Sequence, residues 1–90
     1  MKAIITVTGA DKPGIIAKIS NELYKANANI LDVSQTIMTG DVFVMNMQVD
    51  LGNMNCSFEE LQSSLKKSGE EMQLDVKLQR QEIFERMYRV

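Results

Sequence analysis

Residues 8–16 read TGADKPGII, where a strand-like run breaks into a helix-like one. The stretch offers two glycines, a proline, Asp11 and Lys12, with no histidine, serine or cysteine. That is chemistry for binding rather than for bond-making. The amides of Gly14, Ile15 and Ile16 fall in a helix's first turn and have no partner inside it. Pro13 has no amide to leave bare, and its fixed φ suits a helix start. Aligned peptide dipoles add partial positive charge there, so a ligand carboxylate or phosphate would fit. Asp11 would repel a highly charged phosphate but could accept hydrogen bonds from an ammonium group. Helix amides on one side and Asp11 on the other match the two ends of an α-amino acid. Asn29 would add a side-chain amide if the end of the helix and this loop border one edge of a sheet. The plainer reading is a turn in which Asp11 caps the helix and holds nothing else.

Other constellations fall short. GADKPG matches the Gly-x4-Gly part of a nucleotide P-loop, but Ile15-Ile16 stands where Lys-Ser/Thr is required. Without histidine there is no Ser-His-Asp or Cys-His relay, so no enzyme is expected. Cys56 has no base and reads as a structural thiol. Met54 beside it suggests a soft-metal pair, yet Met45 and Met47 sit in strand phase and read as core. No metal or cofactor is expected. Glu59, Glu60, Glu70 and Glu71, with Lys66 and Lys67 between, read as a solvated face. The net charge of −2 favours neither nucleic acid nor an anionic membrane. No apolar stretch approaches the ~20 residues that span a bilayer. The single cysteine and the short apolar run at the N-terminus fit a cytoplasmic protein without a signal peptide. Ninety residues, 44% hydrophobic, make one globular domain that is marginal alone and gains from oligomerising.

The elements that must position the loop follow from periodicity. Residues 2–8 alternate with Ala3, Ile5 and Val7 on one side, which predicts a strand. From Gly14 to about Ala28 the period becomes helical, with Ile15, Ile16, Ile19, Leu23 and Ala26 on one stripe. Asn27-Ala28-Asn29 is the expected stop. Residues 30–38 predict a second strand, with Leu31, Val33 and Ile37 on one face and Gln35 interrupting it. Thr39-Gly40-Asp41 turns the chain into a third strand, 42–50, with Phe43, Met45, Met47 and Val49 inward. Ser57 and Glu60 form a capping box for a second helix with Phe58, Leu61, Leu65 and Met72 on its stripe. Gly69 is expected to fray or bend that helix near its end. Residues 74–79 alternate with Leu74, Val76 and Leu78 inward. The tail, 81–90, places Ile83, Phe84, Met87 and Tyr88 on one side of a short amphipathic helix. Tyr88, with Arg86 and Arg89, offers a partner contact, but docking of that helix on the chain's own sheet or its twin's is simpler.

The order β-α-β-β-α-β gives an α+β, ferredoxin-like sandwich. An antiparallel four-stranded sheet carries both helices on one face, with the short C-terminal helix added. Ile4, Ile30, Val42 and Val44 then lie on the bare face, which predicts a partner or the C-terminal helix laid across it.

In TGADKPGIIAKISNELYKANANILDVSQT, residues 8–36, the chain resembles the ACT-domain family. The shared pattern is Asp11, Pro13-Gly14, Ile15-Ile16 and Asn29-Ile30 within that strand order. The resemblance spans residues 2–79, leaving a domain over 1–80 and the helix over 81–90. The length and the tail EIFERMYRV resemble small stand-alone bacterial ACT proteins. The resemblance implies side-by-side pairing through helix one and strand one into a continuous sheet. It implies an amino-acid ligand at that homodimer interface. Asp11 and Asn29 would contact it by side chains, Gly14 and Ile15 by backbone, within a site drawn from Gly9, Ala10, Asp11, Lys12, Pro13, Gly14, Ile15, Asn29 and Ile30. Gly9 and Ala10 carry no side chain able to bond a ligand, which departs from members with a polar residue there. The expected function is a small-molecule-binding regulatory module acting on a separate protein. The alternative is a ligand-free interaction and dimerisation domain.

Overall fold

Alternation of β-branched and aliphatic residues makes β1 (Lys2–Ala10) a strand, one of the two inner strands of the sheet. The chain continues through α1 (Ile15–Lys25), β2 (Asn29–Met38), β3 (Val42–Asp50), α2 (Phe58–Glu71), β4 (Leu74–Arg80) and α3 (Gln81–Tyr88). The computed structural model describes residues 1–88, with side chains to residue 86. The side chains of Met87 and Tyr88, and Arg89 altogether, lie outside it, and with them the expected contacts of the tail. The strands pair antiparallel in the order β2-β3-β1-β4.

Pairing register turns alternation into a core. Cross-strand partners share a face, so Ile5 lies beside Met47 and Leu78, and Val7 beside Met45 and Val76. These side chains meet Ile15, Ile19 and Leu23 of α1 and Leu61 and Leu65 of α2 in one buried cluster. Both helices therefore cover the same face, as the alternation of β1, β3 and β4 requires.

The second strand departs from expectation. Val33, Gln35 and Ile37 pair with Met47, Met45 and Phe43, so they do point to the helix side. Yet Leu31, Val33 and Ile37 remain 42%, 42% and 45% exposed. α2 lies over β4, while α1 approaches β2 at too few points to cover these side chains. The stripe of α1 is also narrower than expected. At 100° per residue Ile16 rotates off the buried arc of Ile15, Ile19 and Leu23, and it stays exposed. Ile30, expected on the bare face, packs partly buried against the core. A register shift between Ile30 and Asp32 swallows one residue, so the inward phase switches from even to odd numbers. Phe58 and Met72 reach the core only in part.

Loop chemistry sets the element ends. β1 runs two residues longer than expected because Gly9 and Ala10 still pair with Phe43 and Val42. Asn27 takes a left-handed φ of 58° just past α1, and β2 starts at once at Asn29. Asp41 and Gly40 supply positive φ for the hairpin. The capping box forms as expected: the Glu60 amide donates to Ser57 Oγ at 3.1 Å, and the Ser57 amide donates to Glu60 Oε1 at 3.0 Å. Gly69 does not fray α2; it is buried within it. A Cβ there would meet Val76 Cγ2 at 2.5 Å and the Leu74 carbonyl oxygen at 3.1 Å, so glycine lets α2 lie close on β4.

Two predictions follow from this packing and capping. Gly69→Ala gains helix propensity but overpacks the contact with β4, so a net destabilisation of about 1–2 kcal/mol is expected, seen as a lower urea midpoint. The hydrogen bond from the Ser57 backbone, then that from its side chain, holds the Glu60 carboxyl below its ordinary 4.5. A depressed folded value means stability that is present above pH 4.5 and lost as pH falls through the folded value. Glu60→Gln should therefore be less stable than wild type at pH 7, with the gap closing below pH 4.5 in parallel thermal melts.

Candidate functional site

Gly14 is the N-cap of α1, with φ 88° and ψ 3°, and no side chain caps the helix. Its left-handed backbone is one a side chain resists, so the glycine follows from the turn. Asp11 is three residues too early to cap α1. Its own amide instead donates to the Asp41 carbonyl at 2.8 Å, tying the loop to the β2–β3 hairpin. The capping role weighed for Asp11 is thus overturned by geometry. Its carboxylate is left exposed at the mouth of a cleft.

That cleft has a volume of about 300 Å³ and is lined by Asp11, Lys12, Gly14, Ile15, Ile16, Ala17, Gln35 and Phe43. Ala17, Gln35 and Phe43 line it too, although the sequence marks Phe43 as core and Gln35 only as a break in a strand face. Gln35 carried a usable signal, since it is the polar break in the apolar face of β2. Lys12 Nζ donates to the Met72 carbonyl at the end of α2. Lys18 pairs with Glu71 nearby, and that hydrogen bond and charge hold the Glu71 carboxyl below its ordinary value. The first loop, through Lys12, and α1, through Lys18, are therefore each tied to the end of α2.

The remaining candidate residues separate. Pro13 is exposed beside Gly14, and Ile15 is buried, so only its backbone faces the cleft. Gly9 and Ala10 are strand residues. A Cβ on Gly9 would lie 2.6 Å from Leu74 Cδ2, so this glycine serves the β1–β4 packing. Asn29 pairs with Asp50, which also faces Lys2, whereas Asp11 follows Ala10, which faces Val42. Eight residues of β3 separate those ends, roughly 26 Å at ~3.3 Å per residue. Asn29 and Asp11 thus do not border one edge of the sheet within one chain. Asn29 instead lines a polar cleft of about 270 Å³ with Asn27, Ala28, Asp50 and Asn53. Ile30 lies next to it, partly buried.

The free edges of the sheet are β2 and β4. Strand one, expected to continue the sheet into a partner, is paired on both sides and has no edge to give. On β4, Gln62 Nε2 of α2 donates to the Leu78 carbonyl at 3.0 Å. The side of α1 away from α2 carries Ile16 and Tyr24, 40% and 82% exposed, alongside the bare apolar residues of β2. Among the described residues no helix is long and apolar enough to cross a membrane.

Comparisons with known proteins agree with this architecture. The family model described as ACT domain matches residues 2–79. A UPF0237 protein of Listeria innocua is 44% identical over 90 residues, covering 100% of both chains. A UPF0237 protein of Methanopyrus kandleri is 46% identical over 89 residues, covering 99% of this chain and 98% of its own. A solved ACT domain protein from Streptococcus pneumoniae superposes with a TM-score of 0.80 at 36% identity, covering 98% of each chain. The regulatory subunit of aspartate kinase from Thermus thermophilus shares the fold at 22% identity and a TM-score of 0.68, over 87% of this chain and 50% of its own. With its strand order, its open first turn of α1 and these matches, the chain belongs to the ACT-domain family, whose members are generally small-molecule-binding regulatory modules.

Proposed function

We propose that this protein is a homodimeric sensor of an amino acid or similar small zwitterion that regulates a separate protein. The observation that carries it is the uncapped first turn of α1 opening, with Asp11, onto a cleft of about 300 Å³. The backbone amides there would take a ligand carboxylate, and Asp11 would take its ammonium group. Gln35 and Ile16 would lie along the ligand's flank.

Asn29 joins such a site only from a second copy. If two β2 edges pair antiparallel about their middle, the start of one β2 lies against the end of the other. Asn29 of the second copy then approaches the hairpin that holds Asp11. Support for that geometry comes from the exposed Leu31, Val33 and Ile37 together with Ile16 and Tyr24. An uncapped, apolar edge strand is a template for pairing, and β4 is less suited because Gln62 occupies its Leu78 carbonyl.

A ligand-free dimerisation role is favoured by one feature: Gly9 and Ala10 offer a ligand no polar side chain. Two measurements separate the readings. Val33→Glu with Ile37→Glu, both at exposed positions, should shift the species in sedimentation from dimer to folded monomer. Thermal shift against the twenty amino acids should find one that stabilises the protein by about 2.7 kcal/mol at 100 times its Kd, with Asp11→Ala removing the effect. No stabilisation by any amino acid would leave only the dimerisation role.

A further inference from the structure

A second cleft, of about 310 Å³, lies at the other end of β4, between the start of α2 and α3. Its walls are Phe58, Glu59 and Gln62 of α2, Leu78, Gln79 and Arg80 of β4, and Ile83 of α3. Its volume stands at the small end of the ~300–1,000 Å³ range of small-molecule sites. The chemistry is two-sided. Phe58 and Leu78 form an apolar floor, and Ile83, 43% exposed, forms one wall. The guanidinium of Arg80 lies over the Phe58 ring at 5.1 Å from its centroid. This cation–π contact holds the guanidinium beside the hollow, where its N–H groups suit a planar anion. Among the described residues neither Arg80 nor Glu59 forms an ion pair. A cation and an anion thus flank one apolar hollow without neutralising each other. Of the two neutral polar residues in the lining, Gln62 and Gln79, Gln62 donates to the Leu78 carbonyl, which ties α2 to the strand beneath.

We propose that this cleft is a binding site for a small α-amino acid with an apolar side chain, separate from the cleft at Asp11. Arg80 grips the carboxylate through paired N–H groups. Glu59 receives the ammonium group. Phe58, Leu78 and Ile83 enclose the side chain, whose burial supplies affinity. Because α3 forms one wall, occupancy joins the C-terminal helix to α2.

L-leucine titrated into 15N-labelled protein tests this. Saturable shifts are expected at the amides of Phe58, Gln62, Leu78 and Arg80, at millimolar concentration. L-leucinamide, lacking the carboxylate, should give none. Arg80→Gln should raise the Kd at least tenfold, and Arg80→Lys, which keeps the charge but loses the fork, should lie between. Ile83→Lys, at an exposed position, should close the hollow without unfolding the chain. Asp11→Ala should leave these shifts unchanged, so failure here and failure at the first cleft are told apart. No saturable shift up to 20 mM, equal shifts with L-leucinamide, or unaltered binding by folded Arg80→Gln would overturn the proposal.

Discussion

The fold depends on β1 being paired along both sides. Its Ala3, Ile5 and Val7 sit where the inward rows of β3 and β4 meet, and all three are fully buried. β3, flanked on both sides as well, reaches β2 by a tight hairpin, whereas β1 is joined to neither neighbour directly. Here the chain leaves β1 through α1, places β2 beyond β3, and returns through α2 to place β4 on β1's far side. Both helices are drawn to the one face where the inward rows alternate. Local alternation and long-range order therefore support each other.

The same constraint makes the two edges unequal. β4 lies under α2, tightly enough that only a glycine fits at position 69, and Gln62 reaches its main chain. β2 has β3 on one side and, among the described residues, no strand on the other, and α1 meets it at only a few points. Its inward-facing Val33 and Ile37 therefore stay in contact with water, as do Ile16 and Tyr24 on the adjoining side of α1. Apolar area left on an unpaired edge is costly for a lone domain of this size. This is the physical reason to expect the molecule to complete itself with another chain.

The helix starts are unequal as well. α2 begins with a full capping box, so two of its first amides are satisfied by its own side chains. α1 begins at a left-handed glycine with no side-chain cap. The difference is one of local chemistry, Ser57 and Glu60 against Gly14 and the apolar pair behind it. Around α1's start the loop is still held. The amide of Asp11 binds the hairpin, Lys12 binds the carbonyl of Met72 just past α2, and Lys18 pairs with Glu71. A start that is open to a ligand yet fixed at its rim loses little entropy on binding.

By itself the sequence determined the element order, the inward rows of β1, β3 and β4, the capping box and the loop at Asp11–Gly14. Each of these follows from a period or a spacing within a few residues. It did not determine that β2 would stay bare, because alternation marks an apolar face without saying whether a helix covers it. Nor could it show the shift at Leu31 that moved Ile30 inward, since that depends on the partner strand's register. Glycines 9 and 69 read as loop or breaker residues, and only the approach of Leu74 and Val76 explains them. The separation of Asn29 from Asp11 was likewise a tertiary outcome. They are 18 residues apart along a chain that runs down α1, and antiparallel geometry carries the end of a helix to the opposite pole from its start. Sequence specifies the chemistry each group carries; the topology decides which of them meet within one molecule.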